Sequence, residues 1–136
     1  FRGVVMRAVL SLLLCIVFLN AKVVIVTNKN SHLDTVEKEI IQYVFLAKTN
    51  KIKGIKVEPI LSDDKKLHKE FCSEILCKSE SQYNSYWARL VFTGRKPISK
   101  RFSKEEIIKK LQEVDTITYI DKKDLRDEWK VIYENN

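Results

Sequence analysis

From Lys22 onward the chain alternates short apolar runs with polar breaks. Lys22–Thr27 reads Lys-Val-Val-Ile-Val-Thr, an unbroken β-branched run that predicts a buried strand. Asn28–Ser31 is a polar loop. Val36, Ile40, Ile41, Val44 and Phe45 then recur at helical spacing, with Asp34 or Thr35 placed to cap that helix. Thr49–Gly54 is a basic turn. Ile55–Leu61 alternates as a second strand with Pro59 near its end, and Ser62–Lys66 is a charged loop. Leu67–Leu76 predicts a short helix burying Leu67, Phe71 and Ile75.

Ser79 with Gln82, and Ser103 with Glu106, have the spacing of capping boxes. The first opens a helix to about Phe92 that presents Tyr83, Trp87, Leu90 and Val91, with Gly94 as its left-handed C-cap. The second opens Lys104–Val114, buried through Ile107, Ile108 and Leu111. Thr116–Ile120 and Lys130–Tyr133 predict the last strands. Strand, helix, strand, several helices, strand, strand is the order of an α/β domain in two or three layers, with a small mixed sheet flanked by helices.

The residues before this pattern have another character. Met6-Arg7, the apolar run Ala8–Leu19 and then Asn20-Ala21 have the form of a secretory signal peptide cut after Ala21. Residues 1–5 precede that methionine and are set aside. An uncleaved anchor would place Asn20 and Lys22 near the membrane centre, which is costly. A lipoprotein cut before Cys15 would have Leu14 where a small residue is expected. The expectation is one exported domain, residues 22–136, in a periplasm.

Charge narrows the partners. Lys and Arg number 25 against 18 Asp and Glu, a net charge of +7, of which residues 22–136 keep +5 because Arg2 and Arg7 precede the cut. A basic exported domain suits a small oxyanion, a membrane surface or cell-wall polymers. The same charge also serves as an ordinary solvated surface. No recognition helix or aromatic RNA motif appears, so nucleic acid is not expected. Neither His32 nor His68 belongs to a set of ligands at metal spacing, so no metal and no cofactor are expected.

Catalysis finds no constellation. His68 and Glu70 are spaced so that they do not face each other on a helix. Cys72 and Cys77 lack the tighter Cys-X-X-Cys spacing of a redox pair; a disulfide between them would need the helix to end near Leu76, and two buried thiols are the alternative. Arg95, Lys96, Lys100, Arg101 and Lys104 form a basic cluster without an acid before Glu105, either an anion receiver or a solvated loop. Arg89 is expected to brace the fold against Asp115 or Asp121. Tyr83, Tyr86, Trp87 and Phe92 are expected in the core.

Several segments together carry a resemblance. They are the apolar strand into an Asn/Ser loop, the helix end Tyr43-Val44-Phe45-Leu46-Ala47-Lys48, Glu58-Pro59-Ile60, and above all Tyr86-Trp87-Ala88-Arg89-Leu90-Val91-Phe92-Thr93-Gly94-Arg95. The chain resembles the small, signal-bearing proteins related to the phosphate-binding component of ABC transporters. That resemblance implies a periplasmic-binding-protein-like single lobe over nearly all of residues 22–136. It implies capture of phosphate or another oxyanion for uptake or sensing, with a membrane transporter or sensor as partner.

The ligand-binding residues it implies are Thr27, Asn28 and Ser31 in the first loop, Ser62, Lys65 and Lys66 in the second, and Arg95 as a charged contributor. Larger members hold phosphate on the backbone of a Ser-Gly-Thr turn at a helix start. The matching loop here has no glycine, and Asp63 and Asp64 oppose an anion there. The alternative expectation is therefore a non-catalytic interaction protein that docks on an envelope receptor or sensor and has lost the solute site.

Overall fold

The computed structural model describes residues 21–96 and 100–135. The signal-peptide expectation, apart from Ala21, lies outside them. The elements run β1 (Val23–Asn28), α1 (Lys38–Phe45), β2 (Lys51–Ile52), β3 (Ile55–Lys56), β4 (Glu58–Pro59), β5 (Leu61–Ser62), α2 (Lys65–Glu74), α3 (Glu80–Phe92), β6 (Arg101–Phe102), α4 (Lys104–Lys110), β7 (Thr116–Asp121), a 3₁₀ turn (Lys122–Asp124) and β8 (Trp129–Glu134).

The main sheet has the order β4-β7-β1-β8. β1 pairs antiparallel with both β7 and β8, and β4 pairs parallel with β7. β2 and β3 make a separate hairpin, and β5 and β6 a short parallel pair. Both faces of β1 are covered, which is why its apolar run shows no polar alternation. Val23 and Ile25, with Ile117 and Tyr119, pack on one side against Ile41, Val44, Phe45, Phe71, Ile75 and Tyr83 of the α1–α3 layer. Val24, Val26 and Ile120 pack on the other against Ile107 and Leu111, with Trp129 beside them. Phe71 stacks on Tyr119 at 3.9 Å and meets Phe45 edge-on at 4.9 Å. The result is three layers around a small mixed sheet.

Both capping boxes form, at Ser79/Gln82 and Ser103/Glu106. Gly94 ends α3 at φ 71°. Four expectations are corrected. First, α1 begins at Lys38 with Glu37 as N-cap and no side-chain cap bond, so neither Asp34 nor Thr35 caps it. The segment before it is tied to β8 instead: the β8 register against β1 skips Ile132, whose carbonyl accepts the Val36 N–H at 2.8 Å.

Second, Ile55–Leu61 is three short strands in three pairings, because β2, β7 and β6 each claim part of it. Third, α2 starts at Lys65. Asp64 accepts the Leu67 N–H at 3.1 Å and caps it, so Lys65 and Lys66 belong to the first helical turn and not to a loop. Fourth, α4 stops at Lys110, short of Val114.

Helix ends are closed by left-handed residues. Ala47 lies at φ 58° after α1, with the Lys48 N–H donating to the Tyr43 carbonyl at 2.8 Å. Cys77 does the same after α2 at φ 56°. Cys72 is buried and Cys77 exposed, and both are free thiols.

Candidate functional site

The β5–α2 connection opens on a cavity of about 410 Å³. Its apolar wall is Leu67, Ile107, Ile108, Ile120 and Trp129. Its polar lining is Ser62, Asp63, Asp64, Tyr119 and Asp121, with Lys104, Asp124 and Arg126. α2, α4 and the β7–β8 connection therefore all contribute.

Ser62 is the fixed point of this wall. It is buried, its N–H donates to the Tyr119 hydroxyl at 2.9 Å, and its Oγ accepts the Asp64 N–H at 3.1 Å. The Asp63 N–H donates to the Phe102 carbonyl at 2.9 Å. The Ser62 and Asp63 amides are thus committed inside the fold.

Behind Ser62 stands a buried polar chain. The Tyr119 oxygen lies 2.5 Å from His68 Nδ1, and His68 Nε2 lies 3.6 Å from the Cys72 sulfur. The arrangement that satisfies each polar atom has the Tyr119 O–H donate to Nδ1 and the Nε2–H face the thiol. That imidazole is neutral. Burial, and then the Arg101 cation, lower its pKa to about 4. Burial pushes the Cys72 thiol up to about 11 and raises Tyr119 and Tyr83 as well. None of these groups is poised for proton transfer or nucleophilic attack at neutral pH.

The cavity's charges are mixed. Lys104 Nζ is 3.6 Å from Asp124, Lys123 Nζ is 3.9 Å from Asp121, and the Arg126 guanidinium lies 5.5 Å from the Trp129 ring centre. Four carboxylates face two cations, so an anion in this cavity depends on Lys104 and Arg126 against a net negative lining.

The residues expected to bind ligand divide into separate places. β1 runs antiparallel to β7 and β4 runs parallel to it, so the chain leaves Asn28 and Ser62 at opposite ends of the sheet. Thr27 is buried and donates to the Thr116 carbonyl at 2.8 Å. Asn28 donates to the Leu111 and Gln112 carbonyls at 2.9 and 3.2 Å and accepts the Asn30 N–H. Ser31 accepts the Leu33 N–H, and its carbonyl receives Lys130 Nζ at 2.6 Å. These three side chains close the fold around the end of β1. Ser62 lines the cavity, with Lys65 and Lys66 on the adjoining helical turn. Arg95 is exposed beyond the end of α3 and is not part of the cavity lining.

Sequence reading overlooked Asp121, Asp124, Arg126 and Trp129 as cavity residues. Their one local signal is the acidic-basic run Asp121-Lys122-Lys123-Asp124 directly after an apolar strand. It also missed Glu58, Glu113 and Asp115, whose exposed carboxylates lie within 4.8 Å of one another at the opposite end of the sheet. Arg89 forms no ion pair with Asp115 or Asp121 among the described residues, and Phe92 is 93% exposed, not core.

No protein-family model matches the chain, and no curated protein matches it in sequence. Among solved structures it is similar to a protein from Clostridium perfringens described as a phosphate ABC transporter substrate-binding protein and solved with bound phosphate. The TM-score is 0.62 at 14% sequence identity; the match covers 82% of this chain and 44% of that one. The chain thus spans less than half of that protein. At this identity the likeness is one of fold: the architecture is a periplasmic-binding-protein-like lobe, a small mixed sheet flanked by helices.

Proposed function

We propose that the protein is a solute-binding lobe of the periplasmic-binding-protein type. It captures phosphate or another small oxyanion in the cavity beside Ser62, for ABC-type uptake or for sensing. The observation that carries this reading is the likeness of fold to a phosphate-binding neighbour, coupled with a cavity at the β5–α2 turn. In this reading Lys104 and Arg126 meet the anion from the cavity wall, Lys65 and Lys66 raise the potential at its mouth, and Ser62 shapes the turn. The periplasm, a signal peptide and a transporter or sensor partner belong to the same proposal. No catalytic step is part of it.

A second reading has its own support. The Ser62 and Asp63 amides are already bonded inside the fold, and Asp64 rather than an anion occupies the α2 cap. A protein that kept the lobe and docks on an envelope receptor or sensor would have that pattern. Thermal unfolding against phosphate, sulfate and chloride separates the two. A ligand at 100 times its dissociation constant adds about 2.7 kcal/mol, several degrees in a domain of this size. A shift with phosphate that persists in high salt supports solute capture. Equal shifts with every anion, lost in high salt, reflect neutralised surface charge and favour the docking protein.

A further inference from the structure

α3 is longer than the core it covers. Tyr83 is its one buried residue, and Tyr86 and Trp87 are partly buried. Tyr86 anchors the helix through its hydroxyl, which donates to the Leu46 carbonyl at 2.6 Å. Past Trp87 no residue of α3 is buried. At its end Phe92 is 93% exposed, about twice the exposure of Val114 at 47% or Tyr43 at 46%.

The chain around Phe92 is basic and carries no acid. Arg89 is one turn before it on the same helix face. Arg95 and Lys96 follow the Gly94 turn and fold back, their N–H groups donating to the Leu90 carbonyl at 3.0 and 3.4 Å. Among the described residues none of the three makes an ion pair. From Ser81 to Lys104 the sequence contains no Asp or Glu at all. Cations near a helix C-terminus complement its dipole, but the dipole gives no reason for a bare aromatic ring among them.

We propose that the end of α3 is a docking surface for an anionic lipid membrane, with Phe92 entering the interface and Arg89, Arg95 and Lys96 resting on the headgroups. The occupant has to bury an apolar ring and neutralise cations together, and an anionic bilayer does both. The site is a convex helix end, and the cavity described above is lined by other residues. A folded protein partner would need a matching concave surface; a bilayer conforms to the protrusion. The surface is independent of whether the cavity takes a solute.

The test uses the full chain carrying Phe92→Trp, mixed with vesicles of phosphatidylcholine alone or with one third phosphatidylglycerol, each containing brominated lipid. Quenching is read relative to the wild-type chain, which carries Trp87 and Trp129, so that binding through any other segment is subtracted. Added quenching in the anionic vesicles, absent in neutral ones, is expected. Arg95→Gln with Lys96→Gln is expected to lower the affinity at least tenfold, since each cation contributes about fivefold near an anionic surface. Equal quenching in both vesicle types, or none above wild type, overturns the proposal. Charge-dependent binding to soluble polyglutamate without quenching by lipid overturns it in favour of an acidic protein partner.

Discussion

Tyr119 on β7 and His68 on α2 are joined by a hydrogen bond of 2.5 Å in the centre of the core, and the same hydroxyl accepts the Ser62 N–H at 2.9 Å. One side chain thus ties the sheet to the helix and to the turn that enters it. The turn at the cavity wall is held by a group that itself lines the cavity.

Replacing Tyr119 with Phe keeps the stack on Phe71 and removes only the oxygen. The Ser62 N–H and His68 Nδ1 then lack a partner in the interior. Leaving buried groups unsatisfied costs about 1–3 kcal/mol. Urea unfolding of Tyr119→Phe is expected to show a lower midpoint with an unchanged slope. An unchanged midpoint would mean that water replaces the hydroxyl.

Acid should weaken the protein in two stages. His68 is neutral when folded, with its pKa lowered from 6.5 to about 4 by burial. The unfolded chain therefore binds more protons between those values, and stability falls as pH drops from 6.5 to 4. At about 1.4 kcal/mol per unit the loss is on the order of 3 kcal/mol. Glu134, bonded to Lys122 and Lys22, is lowered to about 2. Its contribution is present above pH 4.5 and is lost as pH falls toward 2. Melting temperatures of His68→Gln across pH 7 to 4 are expected to be flatter than those of the wild type. Parallel curves would remove His68 from the account.

Ala47 pays for a conformation that glycine adopts freely. It closes α1 at φ 58°, where a Cβ is crowded by about 1–2 kcal/mol. Glycine restores that but loosens the unfolded chain by about 0.5–1 kcal/mol. Ala47→Gly is expected to stabilise the protein by up to about 1 kcal/mol. A destabilised variant in chemical denaturation would show that the α1 terminus is not strained.

Local signals in the sequence were enough for the elements that depend on local chemistry. The Ser79 and Ser103 boxes, Gly94 and the β1 run each rest on residues within one turn or one strand. What escaped depends on distant partners. The division of 55–61 is decided by β2, β7 and β6, and the chain before α1 is tied by the Val36 N–H to Ile132, nearly a hundred positions away. Phe92 has the helical spacing of a core residue, but none of the described residues covers its ring. The cavity was half legible: Ser62 came from a resemblance of its loop, whereas Asp121, Asp124 and Arg126 enter only because β7 brings its end beside that loop. The first-loop residues Thr27, Asn28 and Ser31 have polar side chains whose partners are backbone groups of Thr116, Leu111 and Leu33, a use that composition does not distinguish from ligand contact.

The most direct measurement is calorimetric titration of phosphate into the wild type, Asp63→Asn and Lys104→Ala at physiological salt. Asp63 repels and Lys104 attracts an anion in the cavity, and one unit charge at 4 Å in a watery site is worth about 1 kcal/mol, or about fivefold in affinity. Solute capture predicts one saturable site, tighter in Asp63→Asn and weaker in Lys104→Ala. No saturable heat in any of the three, or the same affinity in all of them, would contradict it.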